Sequence, residues 1–177
     1  MATDRTAVIG FPVDHSLSPI IHNHWIKELG LDTKPYEKIN VDPNKFEEQI
    51  NNLKAEGYGG LNVTVPLKEL AFSISDETSG VSKKLKSVNT LSLNSEKIDG
   101  DNTDAVGFIN SLDEKTIENN ITNKKTLVLG AGGSARSVVY ALNELGGHVR
   151  LFNRTLEKAQ ILLDDLSINS SPVGAEE

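Results

Sequence analysis

Lys68 closes the stretch Asn62-Val63-Thr64-Val65-Pro66-Leu67-Lys68, a β-branched run that reads as a strand ended by a proline. The lysine falls on the turn behind it. Asp104 stands in Asn102-Thr103-Asp104-Ala105-Val106-Gly107 at a helix start, after Asp99-Gly100-Asp101-Asn102, which reads as a turn. An amine and a carboxylate at the ends of separate elements can meet at one site. There the carboxylate sets the charge of the amine, and the amine moves a proton on and off an alcohol. Taken singly, a lysine is ordinarily a solvated charge and an Asn-Thr pair ordinarily a turn. The grouping is what points to chemistry.

Other residues extend the pattern. Ser16 and Ser18 flank a leucine in a loop just before a helix N-terminus, where two hydroxyls and free amides suit a carboxylate. Ser18 also has the position of an N-cap, with Pro19 at the first helical position. Thr64, Lys68, Asn89 and Asp104 offer a hydroxyl, an amine, an amide and a carboxylate. That mixture suits a polyhydroxylated ring, because each ring hydroxyl both donates and accepts. Asn62 either supports the site or touches the substrate.

A second kind of site follows. Gly130-Ala131-Gly132-Gly133-Ser134-Ala135-Arg136 comes after the apolar strand Thr126 to Leu129 and opens a helix. Gly130 permits a tight turn, Gly132 lets the backbone approach a pyrophosphate, and Ala135 keeps helix and strand close. Amides at the helix start, through Gly133 and Ser134, would hold phosphate oxygens. An NAD site usually carries an acidic residue about 20 residues past the first glycine. Here Asn153, Arg154 and Thr155 occupy that place. Arg154 can pair with a 2′-phosphate in a fork and stack on adenine, and Lys158 adds a second positive charge. The expected cofactor is NADP.

These residues need an α/β frame to position them. Ala7 to Ile9, Tyr36 to Val41 and Gly60 to Val65 read as strands, with helices from Ser18 to Leu29 and from Asn44 to Ala55. On the first helix Ile20, Ile21, Trp25, Ile26 and Leu29 recur on one face, and Trp25 is expected in the core. Helical patterning returns near Leu70 to Ile74 and Val81 to Leu85. Val88 to Leu93 and Lys97 to Ile98 look like a hairpin. Alternating strands and helices imply a mostly parallel sheet. The polar stretch Asp113 to Lys125 marks the boundary region. Beyond it lie a buried strand Thr126 to Leu129, a helix Ala135 to Leu145, a strand Val149 to Phe152 and a helix Leu156 to Leu166. This is one βαβ unit and a further helix, the first half of a Rossmann-type domain. The expected architecture is an N-terminal α/β substrate domain over residues 1–106, then a partial Rossmann NADP-binding domain over 107–177.

Composition excludes several classes. A formal charge of −7 argues against nucleic acid or an anionic membrane as partner. No apolar run approaches the ~20 residues of a spanning helix, and the first residues lack a signal-peptide core. The absence of cysteine fits a reducing cytoplasm. His22 and His24 are two apart, so on a helix they point about 200° from each other, and no zinc spacing is present. No metal site is expected.

Gly10-Phe11-Pro12-Val13-Asp14-His15-Ser16-Leu17-Ser18-Pro19, Asn62 to Lys68, Val88-Asn89-Thr90 and Gly100 to Gly107 resemble, in order and spacing, the substrate-domain motifs of shikimate dehydrogenase. The glycine turn with Asn153-Arg154-Thr155 resembles that family's NADP half. The resemblance runs from about Thr6 to Lys158. It implies reversible oxidation of shikimate to 3-dehydroshikimate with NADP, a step toward aromatic amino acids. It also implies that Ser16 and Ser18 hold the substrate carboxylate, that Lys68 is the acid/base group, and that Asp104 is its partner and a substrate ligand. Quinate dehydrogenases share these motifs; methylene-tetrahydrofolate dehydrogenases share the architecture. Family members continue through further Rossmann strands and a helix returning to the substrate domain. The sequence after Lys158 reads as tail, so weak NADP affinity and little turnover are expected of this chain alone. A shikimate-binding fragment is the other reading. One edge of the strand Thr126 to Leu129 is expected to be uncovered and to favour self-association.

Overall fold

Ala7, Val8 and Ile9 are nearly fully buried because β1 (Arg5–Gly10) runs inside a sheet covered on both faces. A computed structural model describes residues 5–94 and 96–174, in two compact units, Met1–Asn102 and Thr103–Glu177. The division falls ahead of Asp104. The boundary expected after residue 106 lies inside α5 (Asp104–Asn110).

In the first unit β1 is flanked by β2 (Glu37–Asn40) and β3 (Tyr58–Val63), both parallel to it. The sheet continues through β5 (Thr90–Ser92) and β6 (Asp99–Asp101) to β4 (Glu77–Thr78), in the order β2-β1-β3-β5-β6-β4. The pairs β3/β5 and β5/β6 are antiparallel, whereas β4/β6 is parallel. The sheet is mostly parallel, as the alternation of elements implies. The expected hairpin is present, but its second strand is Asp99–Asp101, the segment read as a turn. Gly100 faces Leu91 across the ladder, and a Cβ on it would lie 2.8 Å from Val88 Cγ2. Glycine there serves close packing of a strand, not a bend.

Helix α2 (Phe46–Ala55) covers one face with Phe46, Ile50 and Leu53, at i, i+4 and i+7. Asp42 prepares its entry: its carboxylate accepts from Asn44 N–H at 2.9 Å over the turn Pro43–Lys45. Helix α1 (Ser18–Glu28) lies on the other face, where Ile26 packs against Val8, Val13 and Tyr36. Gly30, at φ +61°, ends it as expected. Its other apolar residues do not reach the core. Ile20, Ile21, Trp25 and Leu29 are exposed, Trp25 by 51%. The apolar periodicity marks the helix correctly but misassigns its buried side, which is set by Asn23 and Ile26. Two short helices, α3 (Lys68–Ile74) and α4 (Gly80–Leu85), complete the unit.

In the second unit α5 is followed by a single turn α6 (Glu114–Thr116), capped by Asp113, and a π turn Ile117–Ile121. Then β7 (Lys125–Leu129), α7 (Gly133–Glu144), β8 (His148–Phe152) and α8 (Leu156–Asp165) form the expected βαβ unit and further helix. β7 and β8 pair in parallel from Lys125↔His148 to Leu129↔Phe152. Val139, Leu142, Leu151, Leu162 and Leu163 form the core. The strand β7 is not buried as expected: Leu127 and Leu129 are 59% and 75% exposed. Among the described residues β8 is its sole strand partner, so one face and one edge lack cover. The segment after α8 is not merely tail. Ile168 packs on the core, and Val173 N–H donates to Leu151 O at 2.8 Å along β8.

Candidate functional site

The parallel pairing of β1 with β3 puts their C-terminal ends on one edge of the first unit. The antiparallel start of β5 lies there too, since Thr90 faces Asn62. Ligands of α/β sheets bind at this edge, beyond the carboxyl ends of the strands. Every sequence-predicted substrate residue of the first unit lies on it. Asn62 and Thr64 come from the end of β3, Lys68 from the first turn of α3, Asn89 from the entry to β5, Ser16 from the loop after β1 and Ser18 from the first turn of α1.

Main-chain bonds tie these segments together. Thr64 N–H donates to Ile9 O at 2.9 Å, Val63 N–H to Asn89 O at 2.7 Å, and Val88 N–H to Lys68 O at 3.0 Å. Leu67 N–H closes the turn to Thr64 O at 2.9 Å. Phe11 N–H donates to Val65 O at 3.2 Å, so the serine loop is anchored to the same turn. The peptide bonds Phe11–Pro12 and Val65–Pro66 are both cis. Thr64, Lys68, Asn62 and Asn89 are each partly buried.

The serine loop differs from expectation in one detail. Leu17, not Ser18, takes the N-cap position of α1, and Ser18 is the first helical residue. It is Ser16 that bonds the main chain, its Oγ accepting from Ser18 N–H at 3.3 Å. A hydroxyl two residues upstream closes this turn, because Leu17 is already in the helical region at φ −89° and ψ −4°.

Side chains the sequence did not single out complete the edge. Thr90 Oγ1 accepts from Asn62 Nδ2 at 3.3 Å and donates to Asn89 Oδ1 at 3.0 Å. Tyr36 donates its hydroxyl to Asn62 Oδ1 at 2.7 Å, and burial pushes its pKa upward. Asn102 is buried and donates to Ser87 O at 3.0 Å. Asp101 ends β6 opposite Thr90, and Asp104 follows it three residues later, opening α5 in the second unit. Thr90 lies inside the quoted Val88-Asn89-Thr90 stretch, beside the residue chosen there, whereas Tyr36 precedes β2 and lies in no motif.

The second unit holds the glycine turn. Gly130 adopts φ +101°, which requires glycine, and its N–H donates to Phe152 O at 2.7 Å. Gly132 and Gly133 are different. No protein atom would lie within 4 Å of a Cβ on either, so nothing in the described fold requires glycine there. Bare backbone facing open space fits the approach of a ligand. Gly132 caps the twelve-residue α7 without a side-chain bond, and no acid occupies the first turn. Ala131, Ser134 and Ala135 lie on this turn, where Ala135 packs on the core. Asn153 braces it, accepting from Ala131 N–H at 3.1 Å and donating to Thr155 O at 2.7 Å. Arg154, Thr155 and Lys158 are exposed beside it. Thr155 precedes α8 without a capping bond of its own.

Among the described residues no group of three or more His, Cys, Asp or Glu is placed to hold a metal ion, and no helix is long and apolar enough to cross a membrane. His22 stacks on Tyr36, ring centroids 4.2 Å apart.

An α/β unit with polar groups at its strand ends, followed by a βαβ unit with an open glycine turn, is a two-unit α/β architecture whose second unit has the strand-turn-helix-strand order of the first half of a Rossmann-type fold. Residues 8–91 match the family described as shikimate dehydrogenase substrate binding domain. The NADP(+) shikimate dehydrogenase of Methylocella silvestris is 42% identical over 161 residues, 91% of this chain and 57% of that protein. Shikimate dehydrogenase from Aquifex aeolicus superposes with a TM-score of 0.87 at 38% identity, over 97% of this chain and 62% of that one. The Thermus thermophilus enzyme, solved with NADP(H) and shikimate, gives 0.82 at 35%, over 95% and 62%. The chain is thus similar to NADP(+) shikimate dehydrogenases over most of its own length, and it spans 57% of the length of that first relative.

Proposed function

We propose that this chain binds shikimate at the strand ends of its first unit and serves the NADP-linked interconversion of shikimate and 3-dehydroshikimate. The observation that carries this is the convergence of Ser16, Ser18, Asn62, Thr64, Lys68 and Asn89 on one sheet edge, their segments joined by main-chain bonds. Ser16 and Ser18 take the carboxylate. Thr64, Asn62 and Asn89 sort the ring hydroxyls, since an unmatched hydroxyl would leave a site group unpaired at high cost. Lys68 accepts the hydroxyl proton as the C–H bond breaks.

Gly130 to Ala135, with Asn153, Arg154, Thr155 and Lys158, would hold NADP. The bare Gly132 and Gly133 and the uncapped α7 N-terminus support this. The nicotinamide, when bound, supplies the hydride acceptor. Arg154 and Lys158 favour a 2′-phosphate, where an acid would repel it. A cysteine-free, biosynthetic chain of this kind belongs in the cytoplasm.

The test pairs calorimetric titration of shikimate with NADPH formation from shikimate, followed by absorbance, and repeats the latter with NAD. Shikimate binding with turnover supports the full proposal; binding without turnover supports a substrate-binding fragment. No binding at all overturns the substrate assignment. Lys68→Ala is expected to lower turnover at least ~100-fold while shikimate still binds. A variant retaining the full rate would remove Lys68 from its role.

We also infer that a second copy is this chain's protein partner, through the open edge of β7. Exposed Leu127 and Leu129 support that reading.

A further inference from the structure

Tyr36 is 5% exposed and sits with Val8, Val13 and Ile26 in a small core beneath α1. Packing alone would be served by phenylalanine. The hydroxyl needs another reason, because a buried phenol must find a partner. It is held with unusual care. Asn23 on α1 clamps the Tyr36 main chain twice, accepting from its N–H at 2.8 Å and donating to its carbonyl at 2.9 Å. His22 stacks on the ring at an interplanar angle of 15°. So fixed, the hydroxyl donates at 2.7 Å to Asn62 Oδ1.

That bond settles a choice the Asn62 amide would otherwise have. An asparagine side chain turned by half a rotation has nearly the same shape but exchanged donor and acceptor. With Oδ1 committed to Tyr36, Nδ2 faces Thr90 and donates to its Oγ1 at 3.3 Å. The Thr90 hydroxyl must then donate elsewhere, and it does so to Asn89 Oδ1 at 3.0 Å. Asn89 in turn keeps its Oδ1 toward Thr90, which turns its amide nitrogen away from that hydroxyl. Donor direction runs one way from Tyr36 to Asn89.

We propose that Tyr36 is a positioning residue of the substrate site, which through Asn62 and Thr90 sets the Asn89 amide to donate to a substrate hydroxyl. It rests on the shikimate-site reading above and adds what orients that site. The phenol acts from the core and touches no substrate. It carries the order of α1, through Asn23 and His22, to the strand ends.

The experiment uses the full chain, isotopically labelled, as wild type, Tyr36→Phe, Thr90→Val and the double variant. The side-chain amide signals of Asn62 and Asn89 are followed by NMR, and shikimate binding by calorimetry. Tyr36→Phe is expected to move both amide signals and weaken shikimate binding about fivefold to tenfold, the effect of one lost hydrogen bond with its partner left unsatisfied. Thr90→Val breaks the same relay further along and should move Asn89 with a similar loss. It carries the test if Tyr36→Phe does not fold. The double variant should lose little more than the worse single, because both act through one chain of bonds. Unchanged Asn89 signals and binding in Tyr36→Phe, or losses that multiply in the double variant, would overturn the relay. Wild-type chain that takes up no shikimate overturns the functional reading and the ligand named here. In that case the amide signals still decide the relay itself: a shift in Tyr36→Phe sustains it, and none refutes it.

Discussion

Thr64 keeps its place because Gly10 has no side chain. A Cβ at Gly10 would stand 2.6 Å from Thr64 Cγ2, 3.2 Å from Val65 O and 3.3 Å from Val13 Cβ. Gly10→Ala therefore pushes on the hydroxyl assigned to substrate. Overpacking of this kind costs about 1–3 kcal/mol, and here the threonine is the easiest part to give. We expect Gly10→Ala to weaken shikimate binding by roughly tenfold with a smaller loss of thermal stability. Adding Thr64→Ser removes the clashing methyl and keeps the hydroxyl, so the double variant should bind better than Gly10→Ala alone. Calorimetry on the three proteins checks this; a double variant no better than the single would deny the contact its role. At this scale the sequence is legible where a residue type is itself the signal. Lys68, Thr64 and the serines stand out from their neighbours. Gly10 and Tyr36 do not, since a strand-end glycine and a core tyrosine look ordinary until the partner across the sheet is known.

Three strands of the first unit are pinned together by one polar cluster. Arg5 on β1 donates to Glu37 on β2 at 3.1 Å and to the Tyr58 hydroxyl on β3 at 2.7 Å. Its guanidinium lies 4.2 Å from the centroid of the Tyr58 ring. Tyr58 in turn donates to Glu37 at 2.7 Å. Burial, then the bond to Glu37, pushes the Tyr58 pKa from the usual 10.0 up to about 12. The folded state thus holds a proton that the unfolded chain releases between these values. The contribution is whole below pH 10 and is lost as pH rises toward 12. Urea melts across that window should show wild type losing stability more steeply than Tyr58→Phe, which has no phenol to titrate; parallel curves would contradict the assignment. The elements themselves were legible from periodicity, and helices α1, α2, α7 and α8 fall where the sequence places them. What periodicity cannot tell is which apolar face finds a partner. Trp25 and Leu127 sit in well-formed elements yet remain exposed, because burial depends on neighbours that a local pattern does not contain. The strand at Asp99–Asp101 was missed for a related reason: its pairing to Thr90 to Ser92 outweighs the turn preference of its residues.

At the scale of the molecule, the proposed pairing of copies rests on the open strand. β7 offers main-chain donors and acceptors on its outer edge and two exposed leucines on its face. A strand edge of this kind templates pairing with another chain. The formal charge of −7 opposes that, since like-charged copies repel. The two effects separate by salt. Screening shortens the reach of the repulsion to about 8 Å at physiological ionic strength and about 3 Å at 1 M, and leaves burial of leucine untouched. Association should therefore strengthen with added salt and with protein concentration, in light scattering or sedimentation. Leu127→Glu with Leu129→Lys should reduce it, because charges on an edge strand disfavour pairing. Both side chains are more than half exposed, so the fold should lose little by the exchange, within about 1 kcal/mol. Association that weakens as salt rises would indicate a charge-driven contact elsewhere. A chain that stays monomeric at every concentration would count against the strand-edge proposal.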